Sequence, residues 1–222
     1  MTTRTYGQHC GMALAMDVLG ERWAMLIVRD LLVAPQRFTD LRRELRGIPS
    51  NILTRRLKEL EEAGVVERRV LARPQTGTVY ALTPEGEDLE EVVEALGLWG
   101  ARRLEDPRAG DVITASSMTM AMRTTFRPEA TEGVHATYEL TFGDIVLAMT
   151  IDDGGLTVGP GTMPDADVRV SAGPDIRRLM TGEIDVPQAI AESIVAFEGD
   201  LGLLGVFSEA FRIGARPGAY VR

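Results

Sequence analysis

The sequence predicts an α+β protein built from two domains. In the first 105 residues, apolar side chains recur at helical spacing and then give way to two short strand-like runs. Residues 105–111 concentrate proline, glycine and charged residues, which is typical of a linker. Beyond them, segments with alternating apolar residues are interleaved with short helical segments. A chain of 222 residues is long enough for two modest domains, which we predict at 1–105 and 111–222.

The first domain is predicted to begin with four helices. Their apolar residues recur every three or four positions, which is the spacing of one helix face. A tight turn, Gly47-Ile48-Pro49, separates the third helix from the fourth. Ser50 is the expected N-cap of the fourth helix, and Gly64 is its expected end. The four helices are predicted at 12–19, 23–33, 38–45 and 50–63.

A hairpin and a long helix complete this domain. Residues 65–72 and 78–82 predict two strands joined by a turn. Thr83 is the expected N-cap of a further helix, which has Pro84 at its first position and should run to about Arg103. The order helix, helix, turn, helix, hairpin is that of a winged helix-turn-helix, a motif that places its recognition helix in the DNA major groove.

The fourth helix is the candidate recognition helix. Leu53, Leu57 and Leu60 recur at helical spacing and should face the core, which leaves polar side chains on the outer faces. Such side chains can bind base edges or phosphates, and a basic hairpin tip suits the minor groove or the DNA backbone. The predicted DNA contacts are Thr39, Ser50, Asn51, Ile52, Thr54, Arg55, Arg56, Lys58, Arg73, Gln75 and Thr76.

The net charge of −9 argues against DNA binding until its distribution is considered. Residues 1–105 carry 15 basic and 16 acidic side chains, whereas residues 106–222 carry 9 and 17. Within 37–73 there are 10 basic and 6 acidic residues, a local excess of four positive charges. The acidic second half is therefore expected to stay off the DNA. The alternative interpretation is that the basic residues form an ordinary solvated surface.

The second domain is predicted to contain an antiparallel sheet, several helices and an apolar cavity. Alternating apolar residues and the turn Asp152-Asp153-Gly154-Gly155 indicate the strands. Strands are predicted at 135–142, 145–151, 156–158 and 167–172, and helices at 111–126, 174–182, 187–194 and 200–211.

Methionine and aromatic residues are frequent in the second domain. Flexible thioethers line adaptable apolar cavities, so we expect a site for a hydrophobic small molecule. For any single residue, plain core packing is the better interpretation. Four arginines, Arg123, Arg127, Arg177 and Arg178, could pair with a ligand carboxylate but are expected on solvated surface. The predicted lining residues are Met118, Met122, Phe126, Tyr138, Leu140, Leu147, Met149, Val158, Met180, Phe197, Phe207 and Phe211.

A dense series of motifs runs through residues 8–103. They are Cys10 and the segments 17–23, 26–31, 37–41, 48–61 and 79–86. These motifs resemble the HxlR branch of the MarR-like regulators, although many relatives have proline where Gly11 follows the cysteine. The resemblance implies a homodimeric transcriptional regulator on a pseudo-palindromic double-stranded DNA operator. It also implies a dimer interface formed by the N-terminal segment and the 84–103 helix.

An apolar stripe on that last helix agrees with dimerisation, because two winged helices on half-sites about 34–36 Å apart reach more specificity than one. The alternative is that the stripe packs within its own domain. The stripe consists of Leu89, Val92, Val93, Leu96 and Trp99.

Shorter motifs in the second domain lie at 145–155, 164–170, 179–183 and 197–200. They resemble the sterol carrier protein type 2-like fold. That resemblance implies a small sheet and several helices around an apolar tunnel, and hence a hydrophobic effector that modulates DNA binding.

The main interpretation is a transcriptional regulator, more specifically a repressor, and two alternatives stay open. One is a redox-responsive regulator that senses through Cys10; the other is a lipid-binding carrier with a helical protein-interaction domain. The sequence shows no nucleophile elbow, phosphate loop or metal-ligand cluster, so we expect no enzyme, cofactor or metal. A single cysteine and the lack of long apolar runs favour the cytoplasm and no membrane partner.

Overall fold

The computed structural model describes residues 5–72, 76–105 and 107–214. The chain divides into two compact units, an N-terminal unit of Met1–Val93 and a C-terminal unit of Glu94–Arg222. The division falls inside a helix, upstream of the predicted linker at 105–111.

The N-terminal unit has the predicted order of helices, turn, helix and hairpin. Its second helix contacts the third, the fourth and the second strand, so it forms the centre of the unit. Ile27, Val28 and Leu41 are fully buried at these contacts. The elements are α1 (Gly11–Leu19), α2 (Ala24–Val33), α3 (Phe38–Glu44), α4 (Ser50–Glu62), β1 (Val66–Val70), β2 (Thr78–Leu82), α5 (Pro84–Glu87) and α6 (Glu90–Ala101), of which α6 crosses the boundary between the units.

Two local predictions for this unit are wrong. Ser50 is the first residue of α4 rather than its N-cap; Pro49 holds that position in an extended conformation, and its carbonyl accepts the N–H bonds of Ile52 and Leu53. The predicted long helix is broken between α5 and α6. Thr83 caps α5 as expected, by accepting the Gly86 N–H, but an i to i+3 bond from Leu89 to Gly86 ends that helix after one turn.

Asp30 places a carboxylate in the core of the N-terminal unit. Its side chain is fully buried; Oδ1 accepts hydrogen bonds from Arg29 Nε at 2.8 Å and Nη2 at 2.6 Å. The other oxygen, Oδ2, is buried and has no hydrogen-bond partner among the described residues. Burial raises the pKa of Asp30 to about 6, against the lowering effect of the Arg29 charge. The ionised form is therefore unfavourable in the folded state.

The C-terminal unit is a five-stranded sheet with helices. The strand order is β5-β4-β3-β6-β7. Alternate residues of the strands point into one core, with Tyr138, Met149 and Val170 almost completely buried. The elements are α7 (Ala115–Thr125), a 3-10 turn (Pro128–Ala130), β3 (His135–Phe142), β4 (Ile145–Asp152), β5 (Gly155–Pro160), β6 (Val168–Ala172), α8 (Ile176–Met180), α9 (Val186–Ala191), β7 (Val195–Gly199) and α10 (Leu201–Ala210).

The prediction of an antiparallel sheet is wrong, because the sheet is mixed. After β5 the chain returns across the sheet, so β6 pairs with β3 in parallel, from Tyr138 opposite Val168 to Phe142 opposite Ala172. The edge strand β7 was not predicted at all. It pairs antiparallel with β6 and buries Val195, but its exposed residues and short length give a weak strand pattern.

We expect Asp30→Asn to change how the stability of the N-terminal unit depends on pH. The pKa rises from an ordinary 3.8 to about 6 on folding, so the folded state binds the proton more tightly and stability falls as the pH rises through this interval. Between pH 5 and pH 7.5, the free energy of unfolding of the wild type should fall by about 1 kcal/mol more than that of the variant. Denaturant unfolding at both pH values measures the difference, with Asp40→Asn on α3 as control. Parallel pH dependences of the wild type and Asp30→Asn would contradict the prediction.

Candidate functional site

One face of α4 is apolar and buried, and the other is polar and exposed, as a recognition helix requires. Leu53, Leu57 and Leu60 are each at most 1% exposed and fix one face of the helix in the core. The opposite face is polar and exposed, and it includes Asn51 and Arg55. A helix held by one apolar row presents its polar row outward as a rigid surface.

Most of the predicted contact residues are placed on accessible surface. Ile52 is half-buried beside the turn that precedes α4. Arg73 and Gln75 lie outside the described residues. The exposed members are Thr39, Ser50, Asn51, Thr54, Arg55, Lys58 and Thr76.

The exposed cations of α4 already have partners on the same helix. Arg55 Nε lies 2.8 Å from Glu59 Oε1, and Lys58 Nζ lies 3.4 Å from Glu62 Oε1. Burial alone would raise the pKa of Glu59, but the hydrogen bonds and charges of Arg55 and Arg56 lower it below its ordinary value. These surface pairs are weak and can be exchanged for a phosphate.

Among the predicted contact residues that the structure describes, Arg56 is the one whose side chain is buried and not exposed as expected. Its side chain is 8% exposed. One Nη donates to Glu21 Oε2 at 2.7 Å, and the other contacts the carboxylate of Glu59. The network joins α4 to the segment before α2. Helical spacing could have separated Arg56 from its neighbour Arg55, because Arg56 lies three residues after Leu53 and so beside the buried leucines. Its partner Glu21 is distant in sequence and is revealed only by the fold.

The hairpin is tied to α3 and α4 by arginines that the sequence did not single out for this purpose. Arg37, at the N-terminus of α3, donates to the carbonyl of Thr76 at 2.7 Å. Arg68 on β1 pairs with Glu61 at 3.0 Å, and its guanidinium lies 5.3 Å from the ring centroid of Tyr80. These bonds position the hairpin relative to α3 and α4. Only the folded arrangement reveals them, because each joins residues from different elements.

Comparisons with known proteins agree with this geometry. Residues 18–107 match the family described as HxlR-like helix-turn-helix. The chain is 35% identical over 91 residues to the uncharacterized HTH-type transcriptional regulator YvaP of Bacillus subtilis (strain 168), a match that covers 41% of this chain and 84% of the relative. The chain belongs to the HxlR-like helix-turn-helix family. The HTH-type transcriptional regulator YodB of the same organism is 36% identical over 88 residues, which cover 40% of this chain and 79% of YodB.

Solved structures align only loosely. The quinone-bound YodB from B. subtilis is 34% identical, with 41% of this chain and 96% of that chain covered and a TM-score of 0.36. The sec-alkylsulfatase Pisa1 from Pseudomonas sp. is 25% identical and has a TM-score of 0.43; the alignment covers 49% of this chain but only 18% of the sulfatase. TM-scores of this size do not establish a shared fold. The sterol carrier protein type 2-like resemblance of the C-terminal unit stays a prediction.

The twelve predicted ligand-lining residues are brought together by the fold, but they pack against one another. Phe126 and Phe197 are partly buried against the core cluster, and the other ten belong to it. The ring centroids of Phe207 and Phe211 lie 4.8 Å apart, and Tyr138 donates its hydroxyl to the carbonyl of Leu203 at 3.1 Å. Core packing therefore accounts for their positions, and binding of a ligand by these residues stays a prediction.

A pocket of about 390 Å³ lies in the C-terminal unit, and we call it the C-terminal pocket. Phe126 and Leu98 supply apolar walls, and Arg123, Arg127 and Arg212 lie at its border. Arg127 Nε is 3.0 Å from Glu129, and Arg212 contacts the carboxylate of Glu209. Phe126 is thus the one predicted lining residue that borders this pocket.

The remaining candidate features add little chemistry. Cys10 is exposed at the start of α1, and the chain has no second cysteine. Within residues 5–72, 76–105 and 107–214, no three His, Cys, Asp or Glu side chains are grouped to hold a metal ion. None of the helices in that same part of the chain has the length and apolarity needed to cross a bilayer.

Proposed function

We propose that the protein is a homodimeric, sequence-specific DNA-binding transcriptional regulator that acts as a repressor. The observation that carries the proposal is the outward polar face of α4 opposite its buried leucines, in a chain whose family relatives are named as transcriptional regulators. Asn51 suits an adenine edge, and Arg55 suits guanine or a phosphate. If the protein were instead a lipid-binding carrier, the polar face of α4 would have no assigned role.

Substitutions of two adjacent arginines distinguish an effect on DNA affinity from an effect on folding stability. We expect Arg55→Ala to weaken binding to a duplex selected by the wild-type protein from a random-sequence library by about tenfold, with the salt slope reduced by about one. Its melting temperature should not change, because the side chain is exposed. Arg56→Ala should instead lower the unfolding free energy by about 2 kcal/mol, because it leaves two carboxylates without their buried partner. Gel-shift titration and thermal unfolding measure both effects.

The matched control for that pair is Arg108→Ala, which removes the same charge from an exposed position outside both the recognition helix and the hairpin. It should leave DNA affinity and stability as in the wild type. If Arg55→Ala binds the selected duplex as tightly as Arg108→Ala does, α4 is not the recognition helix and the proposal fails.

Exposed apolar residues support the proposed dimer. On α6, Val92, Leu96 and Trp99 are spaced four and three residues apart and are 51%, 50% and 54% exposed. On α1, Met12 is 70% exposed and Leu14 is 59% exposed. A contiguous apolar patch that is exposed in one copy of a protein is typical of an association surface. A second copy is the partner that the operator symmetry of a winged helix-turn-helix dimer calls for.

Leu96→Glu should convert the dimer into a monomer, because it places a charge in the middle of the α6 stripe. DNA affinity should fall with it, since two half-sites are no longer held together. Light scattering after size-exclusion chromatography measures the mass. Leu201→Glu, at a position that is 56% exposed on α10, is the control and should stay dimeric. A Leu96→Glu variant with dimer mass would contradict this interface.

We further propose that an apolar small molecule bound in the C-terminal unit lowers DNA affinity. The C-terminal pocket supports this proposal, since about 390 Å³ is within the usual range for small-molecule sites. Methionines in the core cluster of the same unit, including Met122 and Met180, allow that core to rearrange around a ligand. Binding that favours the arrangement unable to hold DNA shifts the population away from the operator.

Decanoate tests the effector proposal. We expect it to reduce the affinity for the selected duplex by about 5- to 150-fold, the usual range of allosteric coupling. Phe126→Ala should abolish most of this effect, whereas Phe197→Ala should retain it, because both rings are half-buried against the core but only Phe126 borders the C-terminal pocket. Gel-shift titrations with and without decanoate measure the DNA affinity of the wild type and of both variants. An unchanged DNA affinity in the wild type would leave the C-terminal unit without a sensing role for such ligands.

A further inference from the structure

The C-terminal pocket collects positive charge in an acidic part of the chain. Residues 106–222 carry 9 basic and 17 acidic side chains. Three of those basic side chains line the pocket and are half-buried there, Arg123, Arg127 and Arg212, against two glutamates among the described lining residues. An anion is therefore attracted to this cavity, whereas the acidic surface around it repels anions.

The backbone holds two of these arginines on neighbouring segments. Phe126 forms an isolated antiparallel bridge with Phe211. Beside that bridge, the backbone N–H groups of Arg127 and Arg212 each donate to a carbonyl of the facing segment, at 2.8 Å and 3.0 Å. The two guanidinium groups therefore extend from a fixed stretch of backbone. Planar guanidinium groups placed in this way suit an anionic group with more than one oxygen.

The carboxylate partners of these two arginines are exposed and can be replaced. Arg127 Nε lies 3.0 Å from Glu129, and Arg212 contacts the carboxylate of Glu209. Both glutamates are exposed, so each pair contributes little and each glutamate can turn into water when another anion arrives. Arg212 also donates from Nη1 to the carbonyl of Leu179 at 3.2 Å, a bond that an incoming anion need not disturb.

The other walls of the pocket are apolar. Phe126 and Pro128 contribute one wall, and Ala95 and Leu98 of α6 contribute another. A molecule that fits walls of both kinds has an apolar body and an anionic head group. The volume of about 390 Å³ is sufficient for a small molecule of this type.

The helix α6 carries part of this pocket and the α6 stripe on adjoining faces. With 3.6 residues per turn, Ala95 and Leu98 lie to one side of the row formed by the exposed stripe residues. Between them, Gly97 packs against α7; a Cβ added at Gly97 would lie 3.4 Å from Thr124 Oγ1. Because a helix moves as one body, a ligand that shifts α6 at the pocket also shifts the stripe.

We propose that the C-terminal pocket binds an amphipathic acid and that its binding weakens the dimer through α6. The head group lies between the guanidinium groups of Arg127 and Arg212, and the apolar body lies along Phe126 and Leu98. The arginines lie beyond residues 18–107, so the family match does not cover this site. The link to the dimer rests on the proposed function, whereas binding of the acid to the free chain is measured without it.

Calorimetry on the full-length chain, without DNA, tests the ligand class. Decanoate is the probe, and it should bind saturably with one site per chain. Decan-1-ol has the same body without the charge and should bind about tenfold more weakly, because the arginines lose a charged acceptor. Acetate, which has the charge without the body, should also bind more weakly. Equal affinities for decanoate and decan-1-ol would overturn the proposal.

Two neighbouring substitutions should have opposite effects on decanoate binding. Arg127→Gln should weaken it about tenfold, because a charged donor is lost. Glu129→Gln should strengthen it about threefold, because the competing carboxylate is removed. Arg177→Gln, at a half-buried position on α8 outside the pocket lining, is the control and should bind as the wild type does. Loss of the fold could not produce both signs. Equal binding by Arg127→Gln and Arg177→Gln would refute the site.

Sedimentation of the full-length chain over a dilution series tests the link to the dimer. Saturating decanoate should raise the dimer dissociation constant of the wild type about fivefold or more, and should leave that of Arg127→Gln unchanged. An unchanged constant in the wild type would refute the link through α6. A chain that is monomeric throughout would refute the proposed dimer and this link with it, while the calorimetry still decides whether the acid site exists.

Discussion

The arrangement of the N-terminal unit depends on the burial of one side of α4. Leu53, Leu57 and Leu60 occupy three successive turns of the helix and are almost completely removed from water. Burying three leucines contributes several kcal/mol, so the rotation of α4 about its own axis is fixed by the core and not by its exposed polar residues. The exposed face is therefore presented in one orientation before any DNA arrives. A pre-organised surface loses little conformational entropy on binding.

The sequence predicted the elements of the N-terminal unit because the patterns that indicate them are local. Leucines at helical spacing, the Gly47-Ile48-Pro49 turn and the hairpin each depend on neighbouring residues, and all of them were found. The prediction grouped Arg55 with Arg56 by residue type, although the spacing from Leu53 places Arg56 beside the leucine row. Burial and the partner Glu21 decide their roles, and both are properties of the folded chain. Ser50 was misjudged for a similar reason, because Pro49 already provides the extended residue from which α4 starts.

The C-terminal unit was predicted less well, again for physical reasons. The hairpin of β3 and β4 follows from sequence because its partners are adjacent. The parallel pairing of β3 with β6 joins distant segments, and strand alternation carries no information on direction. The strand β7 is short and mostly exposed, so it lacks the apolar alternation that would reveal it. The predicted lining residues share a core, as expected from their composition, but composition does not distinguish a filled core from a cavity.

Glu59 links the buried side of α4 to its exposed face. Glu59 is bound by exposed Arg55 and by buried Arg56. If Arg55 left Glu59 for a phosphate, Glu59 would not become an isolated charge, because Arg56 would continue to hold it. Arg56 in turn is anchored by Glu21, so the position of Glu59 on α4 depends on a contact with the segment before α2.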